Sequence, residues 1–185
     1  MHNLEDRRVV VTGGSRGLGL GIVEALAARK AKLTVVARDR GRLAEVERTL
    51  GVSTIAGDAT DPKLAASVLR EVSPSVVILS AGAKRMQWLL ASYANGVSAE
   101  LDRGIRFQAI LPRQIIGDTE LGRVAAAGYA RQKNITVEQF LATFGKPLSP
   151  RQVGEHVATI LSDAAHDATT AFELRGETGI RSLDG

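Results

Sequence analysis

Residues Val9-Val10-Val11-Thr12-Gly13-Gly14-Ser15-Arg16-Gly17-Leu18-Gly19 run a β-branched apolar segment straight into a glycine-rich turn. A helical pattern follows at once, with Ile22, Val23 and Leu26 on one face. Strand, tight turn and helix in immediate succession leave few folds open. A helix start presents unpaired N–H groups and the positive end of a dipole, so it attracts phosphate. Glycines at 13, 17 and 19 let the backbone turn tightly and approach a pyrophosphate closely. The motif predicts a dinucleotide site built from Gly13, Ser15, Arg16, Gly17, Leu18 and Gly19. No Gly-Lys-Ser/Thr follows, which excludes a Walker-type phosphate loop.

The rest of the chain repeats the alternation. Val9–Val11, Leu33–Ala37, Val52–Ala56 and Val76–Leu79 read as strands. Leu18–Lys30 and Arg42–Leu50 read as helices, the second ended by Gly51. Asp61-Pro62 opens another, with Asp as N-cap and Pro at the first helical position. The first, second and fourth strands are apolar at consecutive positions, which predicts burial on both faces. Helical spacing from Lys84 to Leu101 precedes Gly104 and a fifth strand, Ile105–Leu111, closed by Pro112. Thr119–Lys133 is helical, Thr136 and Ser149 open capping boxes, and Phe172–Leu174 is a last short strand. The prediction is an α/β fold: a Rossmann-like doubly wound parallel sheet, three-layer α/β/α, with about six strands in one domain over 1–185.

Composition removes several function classes. The 185 residues contain no cysteine, which excludes disulfides, thiol catalysis and Cys-ligated metals. His2, His156 and His166 show no metal or triad spacing. The net charge of +4 is scattered, and one Trp, two Tyr and four Phe are too few for base stacking, so no nucleic-acid partner is expected. No apolar run approaches the roughly 20 residues of a membrane span, and the first residues lack an apolar export core. A cytoplasmic protein without a membrane partner is the expectation.

Two further segments shape the expected site. The second strand ends in Ala37-Arg38-Asp39, where a protein that reads the free ribose of NAD places an acid. Arg38 could pair bidentately with a 2′-phosphate, and Arg16 could add a second charge, so NADP(H) is preferred over NAD(H) despite the adjacent Asp39. Gly57-Asp58-Ala59 and Ser80-Ala81-Gly82 follow the third and fourth strands, at the carboxyl ends where ligands bind. Asp58 could accept the adenine amino group.

Thr12-Gly-x-x-x-Gly17-x-Gly19, Asp58 and Ser80-Ala-Gly82 at these intervals resemble the short-chain dehydrogenase/reductase family. Ile105-Arg106-Phe107 with Leu111-Pro112 is similar to its sixth strand, and Leu148–Val157 to its late helix, so the resemblance covers nearly the whole chain. It implies a Rossmann fold, a nicotinamide cofactor, hydride transfer between carbonyl and alcohol, and a homodimer or homotetramer. It also implies a catalytic Ser on the fifth strand and Tyr-x-x-x-Lys on the next helix. Here Ala81-Gly82-Ala83-Lys84 places Lys84 at the family lysine and Ser80 where the tyrosine belongs. The intervening helix, strand and Ser have no counterpart. Either the natural chain is this short or a middle segment is missing from the sequence; intact mass of the natural protein separates these. Ser80 also replaces the usual Asn of the fourth-strand motif, and Arg113 stands where the family prefers Gly.

A serine hydroxyl ionises far above the roughly 10 of tyrosine, so it is a poor proton donor, and general acid catalysis contributes about 10²–10⁴-fold. Tyr93 lies more than two helical turns beyond Lys84 and reads as core. Strand 105–111 is expected to pair directly beside strand 76–79, filling the vacated position. The helix face of Met86, Leu90, Tyr93 and Val97 then loses its partner helix, which favours self-association. Residues 117–143 form a helical lid candidate. Two functions fit: an oxidoreductase for a small carbonyl or alcohol, or a non-catalytic dinucleotide-binding or interaction module.

Overall fold

The protein is described here by a computed structural model covering residues 2–80, 87–102 and 105–184. The expectations for Ala81, Gly82 and Lys84, and for Arg103 and Gly104, lie outside the described residues. The first half alternates strictly: β1 (Arg8–Thr12), α1 (Gly17–Ala27), β2 (Lys32–Ala37), α2 (Arg40–Leu50), β3 (Ser53–Ala56), α3 (Pro62–Val72) and β4 (Val76–Leu79). There follow α4 (Gln87–Glu100), β5 (Ala109–Pro112), α5 (Glu120–Lys133), α6 (Val137–Ala142), α7 (Pro150–Ser162), β6 (Ala171–Arg175) and β7 (Gly179–Ser182). Local chemistry sets the helix starts. Asp39, Asp61, Thr119, Thr136 and Ser149 each accept a first-turn amide, and Thr136 and Ser149 complete their capping boxes with Gln139 and Gln152.

The strands form two sheets. β3-β2-β1-β4 is wholly parallel; in β5-β6-β7 the first pair is parallel and the second antiparallel. The parallel order and the covering helices match the expected Rossmann-like α/β class. The antiparallel β7, which pairs Leu174 with Ile180, was not anticipated, because Gly179-Ile180-Arg181-Ser182 carries too little apolar pattern to read as a strand.

The expected pairing of the fifth strand with β4 does not occur. β4 pairs with β1, β5 pairs with β6, and a cleft opens between them. The cause lies on one face of the sheets. Val9 and Val11 of β1 and Phe172 and Leu174 of β6 join a single core with Ile22, Val23 and Leu26 of α1 and Val153, Val157 and Ile160 of α7. Two glycines let these helices meet backbone to backbone: a Cβ on Gly21 would lie 2.1 Å from the Pro150 carbonyl oxygen, and one on Gly154 2.0 Å from that of Gly21. Burying one large apolar side chain contributes about 1.5–3 kcal/mol. Pairing two four-residue strands, at about 0.5–1.5 kcal/mol per hydrogen bond, cannot offset dislodging Phe172, Leu174, Leu148 and Ile160 together.

The other face is covered in two separate places. Val10 and Val36 pack on Val68 of α3, and Ala109 and Ala171 pack on Ala91 of α4. Between these patches β4 is bare: Val77 is 44% and Leu79 72% exposed, which corrects the expectation of burial on both faces. Tyr93 of α4 is likewise 72% exposed rather than core, because its ring lines the open cleft. No helix among the described residues is long and apolar enough to cross a membrane.

Gly154→Ala is expected to destabilise the protein by at least about 1–3 kcal/mol through overpacking. Gly96→Ala, where an added Cβ meets nothing within 4 Å, should be neutral or stabilising by about 0.4–1 kcal/mol. Thermal unfolding followed by circular dichroism checks both.

Candidate functional site

The carboxyl ends of β1, β2, β3 and β4 form one rim of the cleft. Backbone bonds hold their exit loops in line: Gly13 N–H donates to Val36 O at 2.8 Å, Gly57 N–H to Ala37 O at 2.9 Å, and Ser80 N–H to Thr12 O at 3.1 Å. Three loops predicted from sequence to converge therefore do so.

The turn after β1 has the backbone that its glycines imply. Gly17 sits at φ +54°, in the left-handed region, and a Cβ on Gly19 would lie 2.2 Å from the Gly13 carbonyl oxygen. The turn thus folds onto the first turn of α1 as only glycine permits. Arg16, the N-cap of α1, makes no side-chain capping bond. The first-turn amides of Gly17, Leu18 and Gly19 therefore have no capping acceptor among the described residues. Five other helices are capped by Asp, Thr or Ser. Unpaired amides, the dipole and a backbone open to close approach fit a diphosphate.

Arg38, at the end of β2, is exposed, and Asp39 is engaged elsewhere. The Asp39 carboxylate accepts Arg42 N–H at 3.1 Å and pairs with the Arg42 guanidinium at 3.3 Å. It caps α2 and does not stand as a free ribose acceptor. An Asp immediately before Arg40-Gly41-Arg42 is itself a local cap signal. Asp58 accepts the amide and hydroxyl of Thr60 at 2.9 and 2.8 Å. The Thr60 amide, then its hydroxyl, hold the carboxyl below its ordinary value despite some desolvation, and Arg38 adds a lowering charge. Asp58 is thus an anion beside Arg38. Ala59 lies in the same exit loop and lines the cleft with Asp58.

Arg16 lines the cleft with Arg38 and is paired with an acid. Its guanidinium bonds Glu120 of α5 at 2.7 Å, and Thr119 approaches Gly17. The segment after β5 therefore leans on the glycine turn, a contact the sequence did not disclose. Ser80 closes the line of loops at β4. The cleft as a whole measures about 2870 Å³ and runs from Gly13 and Asp58 past Leu79 and Ser80 to Leu111 and Arg113. Ordinary ligand pockets measure about 300–1,000 Å³, so this one contains the vacant position beside β4 as well as a ligand-sized space. Tyr129 stacks on Phe140 at 5.6 Å in the α5–α6 cluster, whereas Tyr93 of α4 is exposed and lines the cleft along with Ser80.

Comparisons with known proteins agree with this geometry. The family model described as short chain dehydrogenase matches residues 7–88. An uncharacterized oxidoreductase of Staphylococcus saprophyticus is 44% identical over 50 residues, 27% of this chain and 21% of that protein. The matched stretch thus spans about a fifth of that relative's length. L-sorbose reductase from Gluconobacter frateurii, solved with NADPH and L-sorbose, superposes with a TM-score of 0.74 at 18% identity, covering 99% of this chain and 98% of that one. An actinorhodin polyketide ketoreductase solved with NADPH gives 0.70 at 17% identity, covering 95% and 98%. At such identities the likeness establishes the fold.

Asp39→Ala is expected to destabilise the protein by about 0.5–2 kcal/mol through loss of the cap, while Asp39→Asn, an equally good cap, stays near wild type. Urea unfolding of the three proteins measures this.

Proposed function

We propose that the chain, whose residues 7–88 match the short chain dehydrogenase model, is a short-chain dehydrogenase/reductase that binds NADP(H) in one domain, 1–185, and acts on a small carbonyl or alcohol. The uncapped amides of Gly17, Leu18 and Gly19 carry this reading. With Gly13 and Ser15 they would hold the diphosphate. Arg38 would take the 2′-phosphate, supported by the engagement of Asp39 in capping α2. Asp58 and Ala59 would border the adenine, and Ser80 the nicotinamide side, with Ala81, Gly82 and Lys84 completing that edge by family resemblance. The bound coenzyme supplies the hydride. The residues of this chain position it, keep the cleft walls apolar at Leu79 and Leu111, and leave proton delivery to Ser80 and Lys84 or to solvent. A homodimer or homotetramer in the cytoplasm is the accompanying proposal, supported by the bare apolar face of β4.

Binding without turnover is the second reading, favoured by the positions of Tyr93 and Tyr129, neither of which stands at the family tyrosine. A carbonyl panel with NADPH distinguishes the two: turnover lost in Lys84→Ala supports catalysis, and tight NADPH binding with no turnover supports the module.

NADPH is expected to bind more tightly than NADH. Arg38→Ala should weaken NADPH by about 10–100-fold, the equivalent of one charged hydrogen-bond pair, with NADH affinity unchanged. Equal weakening of both coenzymes in a fluorescence titration would refute the assignment of Arg38.

A further inference from the structure

Glu173 is the only charged side chain among the described residues that is fully buried, at 6% exposure, and it sits mid-strand in β6. Its neighbours Phe172 and Leu174 face the α1–α7 core, so Glu173 lies on the opposite face, with Ala171 and Ala109. A buried carboxylate in a sheet is costly unless paired. Here it is paired twice: Oε1 with Arg175 Nε at 2.6 Å, and Oε2 with Arg113 Nε at 3.1 Å. Both carboxylate oxygens are used, one for each guanidinium.

The two arginines are used only in part. Each engages Glu173 through Nε, and among the described residues the terminal nitrogens of neither have a protein acceptor. The trio carries a net charge of +1. Arg113 follows Pro112 at the carboxyl end of β5 and Arg175 closes β6, the end of a parallel pair where ligands bind. Arg113 and Glu173 line the same cleft as Gly13, Gly17 and Ser80. A guanidinium anchored at Nε still offers its outer N–H groups as a planar fork, the geometry that takes a carboxylate or phosphate through two bonds.

We propose that Arg113, oriented by the buried Glu173 that it shares with Arg175, forms a clamp for an oxyanion on the substrate, so that the carbonyl compound accepted in this cleft carries a carboxylate or phosphate group. This rests on the proposed reading of the cleft as an NADP(H) and carbonyl site, and it adds the substrate's charge class. Arg113 occupies a position where the resemblance leads one to expect glycine, so the clamp is a property of this chain's own residues. Glu173 is a positioning residue, Arg175 balances its charge, and Arg113 makes the contact.

Calorimetric titration of the full chain, with and without saturating NADPH, tests the clamp. The probes are 2-oxo acids of increasing length, the methyl ester of each, and dihydroxyacetone phosphate. An oxo acid or the phosphate should bind at least tenfold more tightly than the neutral esters; the arm that binds identifies the anion as carboxylate or phosphate. Arg113→Gly should abolish the preference, Arg113→Lys should retain part of it, and Glu173→Gln should weaken it while the neutral ester is unaffected. NADPH affinity should stay within about twofold in the Arg113 variants. Esters binding as well as acids with no gain for the phosphate, or an acid preference unchanged in both Arg113 variants, overturns the proposal. So does a tenfold loss of NADPH affinity in Arg113→Gly, which would assign the arginine to the coenzyme. If NADPH does not bind wild type, the coenzyme reading fails separately, and the preference measured without coenzyme still decides the clamp.

Discussion

The contact between Gly21 and Gly154 is the constraint on which the rest of the molecule depends. Without side chains at those positions, α1 and α7 approach until each backbone carbonyl lies where a Cβ would otherwise stand. That closeness aligns Ile22, Val23 and Leu26 with Val153, Val157 and Ile160 in one apolar layer. The layer lies beneath both sheets, so it holds β1 and β6 in a common core although, among the described residues, no strand pairing joins the two sheets. It also anchors α1, whose first residues Gly17, Leu18 and Gly19 line the cleft with Arg38, Asp58 and Ser80. The site is thus a consequence of helix packing on the face opposite the cleft.

The same layer explains how the chain tolerates a missing strand position. In a continuous sheet, backbone hydrogen bonds carry each strand to the next. Here the join is made by side chains below, and the space above is left open. Leu79 and Val77 pay for this arrangement in exposed apolar surface. A bare strand edge of this kind invites association, which natural sheets generally suppress with charge, proline or a covering helix. β4, reading Val76-Val77-Ile78-Leu79, has none of these within it.

Legibility in the sequence followed the range of the interactions involved. β1, its glycine turn and α1 were readable because their signals are local: a β-branched run, steric requirements at Gly17 and Gly19, and a 3.6-residue apolar period. The caps at Asp61, Thr136 and Ser149 were readable for the same reason, each being settled within four residues. The pairing of β5 was misread because it is settled at a distance, by the anchoring of Phe172 and Leu174 under α7. Tyr93 was misread for a related reason: its helical spacing is that of a core residue, but burial needs a facing surface, and periodicity does not disclose whether one exists. The salt links of Arg16 to Glu120 and of Glu173 to Arg113 join residues far apart in the chain and left no local trace. The expected coenzyme residues Gly13, Ser15 to Gly19, Arg38, Asp58, Ala59 and Ser80 line one cleft, and the acid beside Arg38, Asp39, is a helix cap.

Hydrogen–deuterium exchange of the backbone amides, measured with and without NADPH, addresses the diphosphate site directly. The first-turn amides of Gly17, Leu18 and Gly19 have no side-chain cap in the protein alone, so they should exchange quickly and then slow on addition of coenzyme. Exchange at Gly17, Leu18 and Gly19 that is already slow without coenzyme, or that NADPH leaves unchanged at saturating concentration, would contradict the assignment of these amides to a dinucleotide.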